Sequence, residues 1–98
     1  IDLASVRKAI RSERKLTIAY ADGSGQASER TIWPFALGFF EKVRVLVAWC
    51  ELRQDFRHFR TDRIERFTIL DERYPRRRYG LLKTWREKEG IQHHADRN

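Results

Sequence analysis

The run from Val43 to Leu52 constrains the fold of this chain more than any other feature of its sequence. Side chains on a strand alternate between its two faces. One face of this run carries Val43, Val45, Val47 and Trp49, and the other carries Leu46, Ala48 and Cys50. A strand that is apolar on both faces lies inside a sheet and is covered on each side. We therefore expect a central strand here.

Four further strands are predicted around it. Runs of suitable residues bounded by turn residues indicate strands at Lys15–Tyr20, Ala27–Ile32, Phe56–Arg60 and Glu65–Leu70. The segment Asp22-Gly23-Ser24-Gly25 predicts the turn between the first two strands. Pro34 has no N–H to donate, so we expect the second strand to bend there or to lie at an edge of the sheet.

A short helix is predicted at the start of the chain. Leu3, Val6 and Ile10 recur at helical spacing, and Asp2 precedes them as a residue type that caps helices.

A second, amphipathic helix is predicted after a break at Tyr74-Pro75. It covers Tyr79–Glu89 and carries an apolar stripe of Leu81, Leu82 and Trp85. Gly90 is expected to end this helix, and residues 91–98 are expected to fray. The stripe favours packing on the chain's own sheet and formation of a homodimer about equally.

Together these elements predict a mostly β fold with flanking helices. Five short strands joined by short loops indicate a small, strongly bent sheet or a partly closed barrel. We expect residues 1–72 to form the β unit with its leading helix. Residues 73–98 would then form a linker and the C-terminal helix.

Length and composition exclude several classes of protein. A chain of 98 residues can bury one modest core, and 41% hydrophobic residues are too many for a disordered tail. The longest uncharged stretch, Thr31 to Phe40, is far too short to span a membrane. One cysteine and no secretion signal fit a cytoplasmic protein. Since the chain begins at Ile1 and has no methionine, we expect it to be part of a longer protein.

The charge of the chain is basic and is carried mainly by arginine. The net charge is +7, and 16 of the 21 cationic residues are Arg. Arginine suits bidentate recognition of phosphate and stacking on bases. The segment Arg53–Arg66 concentrates five of these arginines with two phenylalanines.

On a strand, this segment predicts a cation and a ring on each face. Arg57 and Phe59 point one way, while Phe56, His58 and Arg60 point the other. Such a combination binds single-stranded nucleic acid or nucleotides.

The alternative is that the phenylalanines are core and the arginines pair with Asp55, Asp62 and Glu65. The two interpretations are about equally supported. For Asp62 and Arg63, a structural ion pair is favoured over contact with a ligand.

Catalytic, metal and cofactor sites are not predicted. Cys50 could act as a nucleophile with His58 as its base, but no third residue is spaced to orient the histidine, and a lone Cys on a central strand is usually a small buried hydrophobe. His93 and His94 could join His58 on a metal, yet adjacent residues in a tail make poor ligands. Arg76-Arg77-Arg78 is either a solvated linker or a second phosphate contact.

Three segments carry a resemblance to a known family. They are Arg14–Tyr20 (RKLTIAY), Ser28–Leu37 (SERTIWPFAL) and Leu46–Ile64 (LVAWCELRQDFRHFRTDRI). Standing in this order, they closely resemble the WYL domain of bacterial helix-turn-helix transcription regulators over roughly residues 3–71. The third segment is the specific one.

The resemblance implies an Sm-like, SH3-type barrel of five strands that senses an effector. The effector would be single-stranded nucleic acid or another nucleotide-like anion in an Arg-rich pocket, with no chemical turnover. Promoter DNA would be bound by an N-terminal helix-turn-helix domain outside this chain. Carried over by motif position, Arg53, Arg57 and Arg60 would grip phosphates, and Tyr20, Ser28, Arg30 and Arg63 would be further members of the pocket.

One position departs from the family pattern. The Trp-Tyr-Leu tripeptide that names the family falls on Arg44-Val45-Leu46, so only its leucine is kept. If the family's tyrosine shapes the ligand site, Val45 changes the choice of ligand. If it is core, Val45 is a smaller core residue. The two-sided apolarity of this strand favours the second interpretation.

Two other functions fit the same residues. The domain could be a protein-interaction and dimerisation module whose arginines form structural ion pairs. It could also bind RNA generally, as Sm-like proteins do, without a regulatory role.

Overall fold

The chain forms one antiparallel sheet with a helix at each end. A computed structural model describes the backbone of residues 1–97 and the side chains of residues 1–90. The elements in chain order are α1 (Leu3–Ser12), β1 (Arg14–Ala21), β2 (Ala27–Phe40), β3 (Val43–Cys50), β4 (Asp55–Arg60), a 3₁₀ turn (Thr61–Arg63), β5 (Ile64–Arg73) and α2 (Arg78–Arg97). This confirms the predicted mostly β fold with flanking helices. No helix in the described part of the chain is both long and apolar enough to cross a membrane.

The strands pair in the order β4-β3-β2-β1-β5. β4 and β5 are therefore the edge strands, and the ladders found among the described residues do not close into a barrel. The 3₁₀ turn joins these two edges. One side-chain bond also crosses the gap, because the backbone N–H of Arg60 on β4 donates to the hydroxyl of Tyr20 on β1 over 3.1 Å.

The prediction that β3 is central and covered twice is confirmed. β3 lies between β2 and β4. The inner face of the sheet packs against α1. We define this face by Leu16, Ile18, Ile32, Leu46, Ala48 and Phe59, which pack with Val6, Ala9 and Ile10. The outer face of the sheet packs against Tyr74 and α2, and we define it by Trp33, Phe35, Val45, Val47 and Phe56, which pack with Leu81, Leu82 and Trp85.

Pro34 bends β2 without ending it. Pro34 lies opposite Ala48 and Ala36 opposite Val47, so Phe35 is an extra residue that forms a bulge. A bulge tolerates the missing N–H of proline. The expected bend is confirmed, but the strand runs on to Phe40 instead of ending at Ile32, and β2 lies inside the sheet.

The C-terminal helix differs from its predicted bounds. It runs from Arg78 through Gly90 to Arg97, so the predicted end at Gly90 was wrong. The fraying expected of residues 91–98 stays a prediction, since their side chains lie outside the described part of the chain. Glycine weakens a helix interior by only about 1 kcal/mol relative to alanine, which the surrounding helix can absorb. The apolar stripe packs on the chain's own sheet, as one of the two sequence alternatives proposed.

Glu13 connects the two helices. It ends α1 in the left-handed region, with φ 57°. Its backbone oxygen accepts from Tyr74 N over 2.9 Å. Its carboxylate accepts from the backbone N–H of Arg78, the first residue of α2, over 2.6 Å, and from Arg77 Nε over 3.3 Å. The N–H of Arg78, and next the charge of Arg77, lower the pKa of Glu13.

Substituting Glu13→Ala is expected to lower the free energy of unfolding by about 1–3 kcal/mol at pH 7, because hydrogen bonds to a charged acceptor are lost. Since the pKa of Glu13 is lowered in the folded state, its stabilisation is present above the ordinary glutamate pKa. It is lost as the pH falls through the folded-state pKa. Urea denaturation at pH 7 and at low pH measures both effects.

The matched control is Glu41→Ala. Glu41 also has a left-handed backbone, with φ 48°, but it is exposed and makes no side-chain hydrogen bond among the described residues. Equal losses of stability in the two variants would contradict the role assigned to the Glu13 carboxylate.

Candidate anion-binding site

The sheet register places four of the chain's polar side chains on the inner face. Tyr20 lies opposite Ser28, and Ile18 lies opposite Arg30. Ile32 lies opposite Cys50, and Ala48 lies opposite Arg57. Because directly opposed residues share a face, this register defines an inner-face cluster of Ser28, Arg30, Cys50 and Arg57. The cluster spans three neighbouring strands.

Arg30 is held in place by neutral partners. Its Nε donates to Ser28 Oγ over 3.2 Å, and its Nη1 lies 3.8 Å from Cys50 Sγ. The side chain is half-buried and makes no ion pair among residues 1–90. Its positive charge is therefore oriented but not neutralised by the protein.

Arg57 on β4 is likewise oriented by a neutral partner and has no ion pair among the described residues. Its guanidinium carbon lies 5.8 Å from the centroid of the Phe59 ring, within the range of a cation–π contact. The residue is half-buried, and no carboxylate in the described part of the chain pairs with it. Arg57 lies one pleat from Cys50, because its partner Ala48 is two residues from Cys50 along β3. The guanidinium of Arg30 thus contacts Cys50, and that of Arg57 lies over Phe59 on the same face of the sheet.

Aromatic rings support this cluster from within the core. Tyr20 and Phe59 meet edge to face with 5.1 Å between ring centroids. Tyr20 is only 7% exposed, and its hydroxyl already accepts from Arg60 N. Tyr20 therefore belongs to the walls of the cluster as a core residue.

The other predicted site residues lie outside the cluster. Arg53 is exposed in the turn between β3 and β4. Arg60 alternates onto the outer side and donates to Asp62 over 3.1 and 2.7 Å, which lowers the pKa of Asp62. Arg63 lies against the β1–β2 turn, where a Cβ on Gly23 would be 3.5 Å from Arg63 Nη1.

The ion pairs of the basic segment bear on its two interpretations. Asp62 pairs with Arg60. The sequence had favoured a pair between Asp62 and Arg63 instead. Asp55 pairs with Lys88 over 3.2 Å. Within the described side chains, Arg60 is therefore the one arginine of Arg53–Arg66 with a carboxylate partner. Structural ion pairing explains Arg60 but leaves Arg57 unexplained.

Cys50 and His58 do not form a nucleophile–base pair. Cys50 is fully buried on the inner face. His58 lies on the outer side, where its Nε2 accepts from Trp85 Nε1 over 3.1 Å and its ring stacks on Phe40. No group of three metal-ligating side chains occurs among the residues that the structure describes. The side chains of His93 and His94 lie outside them.

Sequence reasoning missed the part that Cys50 plays in the cluster. It considered this residue as a nucleophile or as core, whereas Cys50 Sγ faces the guanidinium of Arg30. These residues are 20 positions apart, and only the register of β2 against β3 brings them together.

Tyr20→Phe is expected to lower the free energy of unfolding by about 0.5–1.5 kcal/mol, because the N–H of Arg60 loses its acceptor. Urea denaturation followed by tryptophan fluorescence measures this. Tyr79→Phe is the control, since Tyr79 is exposed and its hydroxyl, among the described side chains, bonds the guanidinium of Arg78 alone. Unchanged stability in Tyr20→Phe would show that the bond between β1 and β4 contributes nothing.

Comparison with known proteins places these observations in a family context. The family model of the WYL domain matches residues 2–69. Among solved structures, the proteasome accessory factor B/C (PafBC) of Arthrobacter aurescens is similar, with a TM-score of 0.69 and 26% sequence identity. The match covers 74% of this chain but only 12% of that chain. No curated protein sequence matched significantly.

Proposed function

This chain belongs to the WYL domain family, and from that premise we propose that it is the effector-sensing domain of a transcription regulator. Its effector is a nucleotide-like or single-stranded nucleic-acid anion, which binds at the inner-face cluster without chemical turnover. The fold is then an open form of the Sm-like, SH3-type barrel of that family, in which the 3₁₀ turn, and no ladder among the described residues, joins the edge strands β4 and β5.

One observation carries this proposal. Arg30 and Arg57 are half-buried on the inner face and have no carboxylate partner in the described part of the chain. A charge at a partly buried site attracts an opposite charge more strongly than it does in water. A bound phosphate would neutralise these guanidinium groups, and arginine forks match phosphate oxygens in geometry.

Each residue around the two arginines is assigned its own role in binding the anion. Ser28 orients the Arg30 guanidinium, and Phe59 orients that of Arg57. Arg53 lies exposed in the turn that follows Cys50, and we assign it a third phosphate contact. Tyr20 shapes the wall.

We assign Arg60 and Arg63 weaker, peripheral parts. Arg60 would have to release Asp62 before it could bind a ligand. Arg63 is directed towards the β1–β2 turn.

We propose that the regulator has further domains outside this chain, because the similar structure is much longer than the part that matches. The chain corresponds to only 12% of PafBC. We infer a cytoplasmic protein in which a separate helix-turn-helix domain binds promoter DNA. Effector binding would favour one orientation of the WYL domain relative to the helix-turn-helix domain. The effector can change the affinity for DNA only as far as its own affinity differs between the two orientations.

A dimerisation module is the weaker alternative. The apolar stripe of α2 that would serve it is occupied by the outer face of the sheet, with Leu81 fully buried. A homodimer that uses another surface stays a prediction, which light scattering over a range of concentrations tests.

The double substitution Arg30→Ala/Arg57→Ala is expected to raise the Kd for a labelled eight-nucleotide single-stranded DNA at least tenfold. The slope of log affinity against log salt concentration should become shallower by about 1.4, since two phosphate contacts are lost at about 0.7 each. Fluorescence anisotropy over a series of salt concentrations measures both quantities.

The control removes the same charge elsewhere. Arg66 and Arg76 are exposed and make no ion pair among residues 1–90, so Arg66→Ala/Arg76→Ala should change the Kd by less than about threefold. Equal weakening by the two double variants would reduce the interaction to a general charge effect. Absence of binding by the unmodified chain would also overturn the proposal.

A further inference from the structure

We propose a second binding surface, for a single strand of nucleic acid, at the opposite end of β2 and β3 from the inner-face cluster. We call it the α1–hairpin groove and define it by Arg7, Arg11, Leu37, Phe39, Arg44 and Arg78. It goes beyond the proposed function and does not depend on it, because the two sites share no residue.

The groove consists of two adjoining cavities. The first, of about 260 Å³, is lined by Arg7, Leu37, Gly38, Phe39 and Arg44. The second, of about 250 Å³, is lined by Arg7, Ile10, Arg11, Ala36, Leu37 and Arg78. Arg7 and Leu37 line both cavities, so the two form one depression between α1 and the end of β2.

The residues that line the groove carry positive charges that no carboxylate of the lining neutralises. Four arginines line the two cavities, and no carboxylate does. None of the four guanidinium groups forms an ion pair within the described part of the chain; that of Arg78 donates to the neutral hydroxyl of Tyr79. A surface lined by one sign of charge concentrates ligands of the other sign. The complementary ligand is a polyanion.

The exposed ring of Phe39 favours a nucleic acid over other polyanions as the ligand of the groove. Its side chain is 65% exposed, and the Arg44 guanidinium carbon lies 5.8 Å from the centroid of its ring. An exposed ring beside phosphate-binding cations is the arrangement on which unpaired bases stack. An acidic peptide would use the arginines but would leave the ring without a partner.

A membrane surface fits this hairpin less well than a nucleic acid does. Insertion into lipid would use both rings at the tip, Phe39 and Phe40. Phe40, however, stacks on His58 with 5.5 Å between centroids and an interplanar angle of 20°, and it is 44% exposed against 65% for Phe39. Phe39 is therefore the more accessible ring, which suits the stacking of a single base.

The groove is well separated from the inner-face cluster. Arg44 and Cys50 lie six residues apart on β3, which corresponds to about 20 Å at the rise of a strand. Arg44 also occupies the position at which the WYL tripeptide has tryptophan, so this cation is a feature of this chain. Variants of the two sites can therefore be compared independently.

The test uses two groove variants of the full chain and a labelled twelve-nucleotide deoxythymidylate strand. Arg7→Ala/Arg44→Ala is expected to raise the Kd at least tenfold. Phe39→Leu, which keeps an apolar side chain but removes the ring, is expected to raise it about fivefold or more. Lys8→Ala is the control on α1, because Lys8 is exposed and lines neither cavity. Circular dichroism confirms that each variant is folded.

The outcomes separate this proposal from the proposed function. Weaker binding by the groove variants supports the groove whatever the effect of Arg30→Ala/Arg57→Ala. Unchanged affinity in both groove variants overturns it, even if the inner-face variant loses binding. Vesicles containing phosphatidylserine provide the last arm: binding to them that Phe39→Leu abolishes, without any effect on DNA affinity, would identify the groove as a lipid contact and overturn the proposal.

Discussion

The fold depends on burying a strand that is apolar on both faces. β3 cannot lie on the surface of a two-layer structure, so the sheet needs a cover on each side. α1 supplies one cover and α2 the other. Glu13 joins them, because it ends the first helix and accepts the first N–H of the second. The positions of both covers are thus fixed relative to the strand between them.

The distribution of ion pairs explains where the basic charge of the chain is available. Carboxylates are used for structure: Lys15 bridges Glu51 and Glu72 over 2.8 and 3.0 Å, and Glu51 also accepts from Trp33 over 2.8 Å. Further pairs form at Asp55, Asp62 and Asp71. The arginines of the inner-face cluster and the α1–hairpin groove have no such partner within the described residues. Part of the excess charge therefore lies without an ion pair at two ends of one sheet, where it can act on a ligand.

Periodicity made part of this structure predictable from sequence. The two faces of β3, the separation of Arg57 from Arg60 on β4 and the stripe of α2 all follow from residues that repeat within one element. The continuation of β2 beyond Pro34 was not predictable, because it depends on a bulge that the neighbouring strand accommodates. The meeting of Arg30 with Cys50 depends on register between strands, and the groove depends on where α1 packs. Neither property is local in sequence.

A nucleotide-like anion is proposed to bind at the inner-face cluster. Titration of the isotopically labelled chain with a short thymidine dinucleotide, followed by amide chemical shifts in two-dimensional NMR, tests this binding. The largest shifts are expected at Ser28, Arg30, Cys50 and Arg57, with little change at Arg66. Largest shifts at Arg76–Arg78, or small shifts spread evenly over the basic surface, would contradict it.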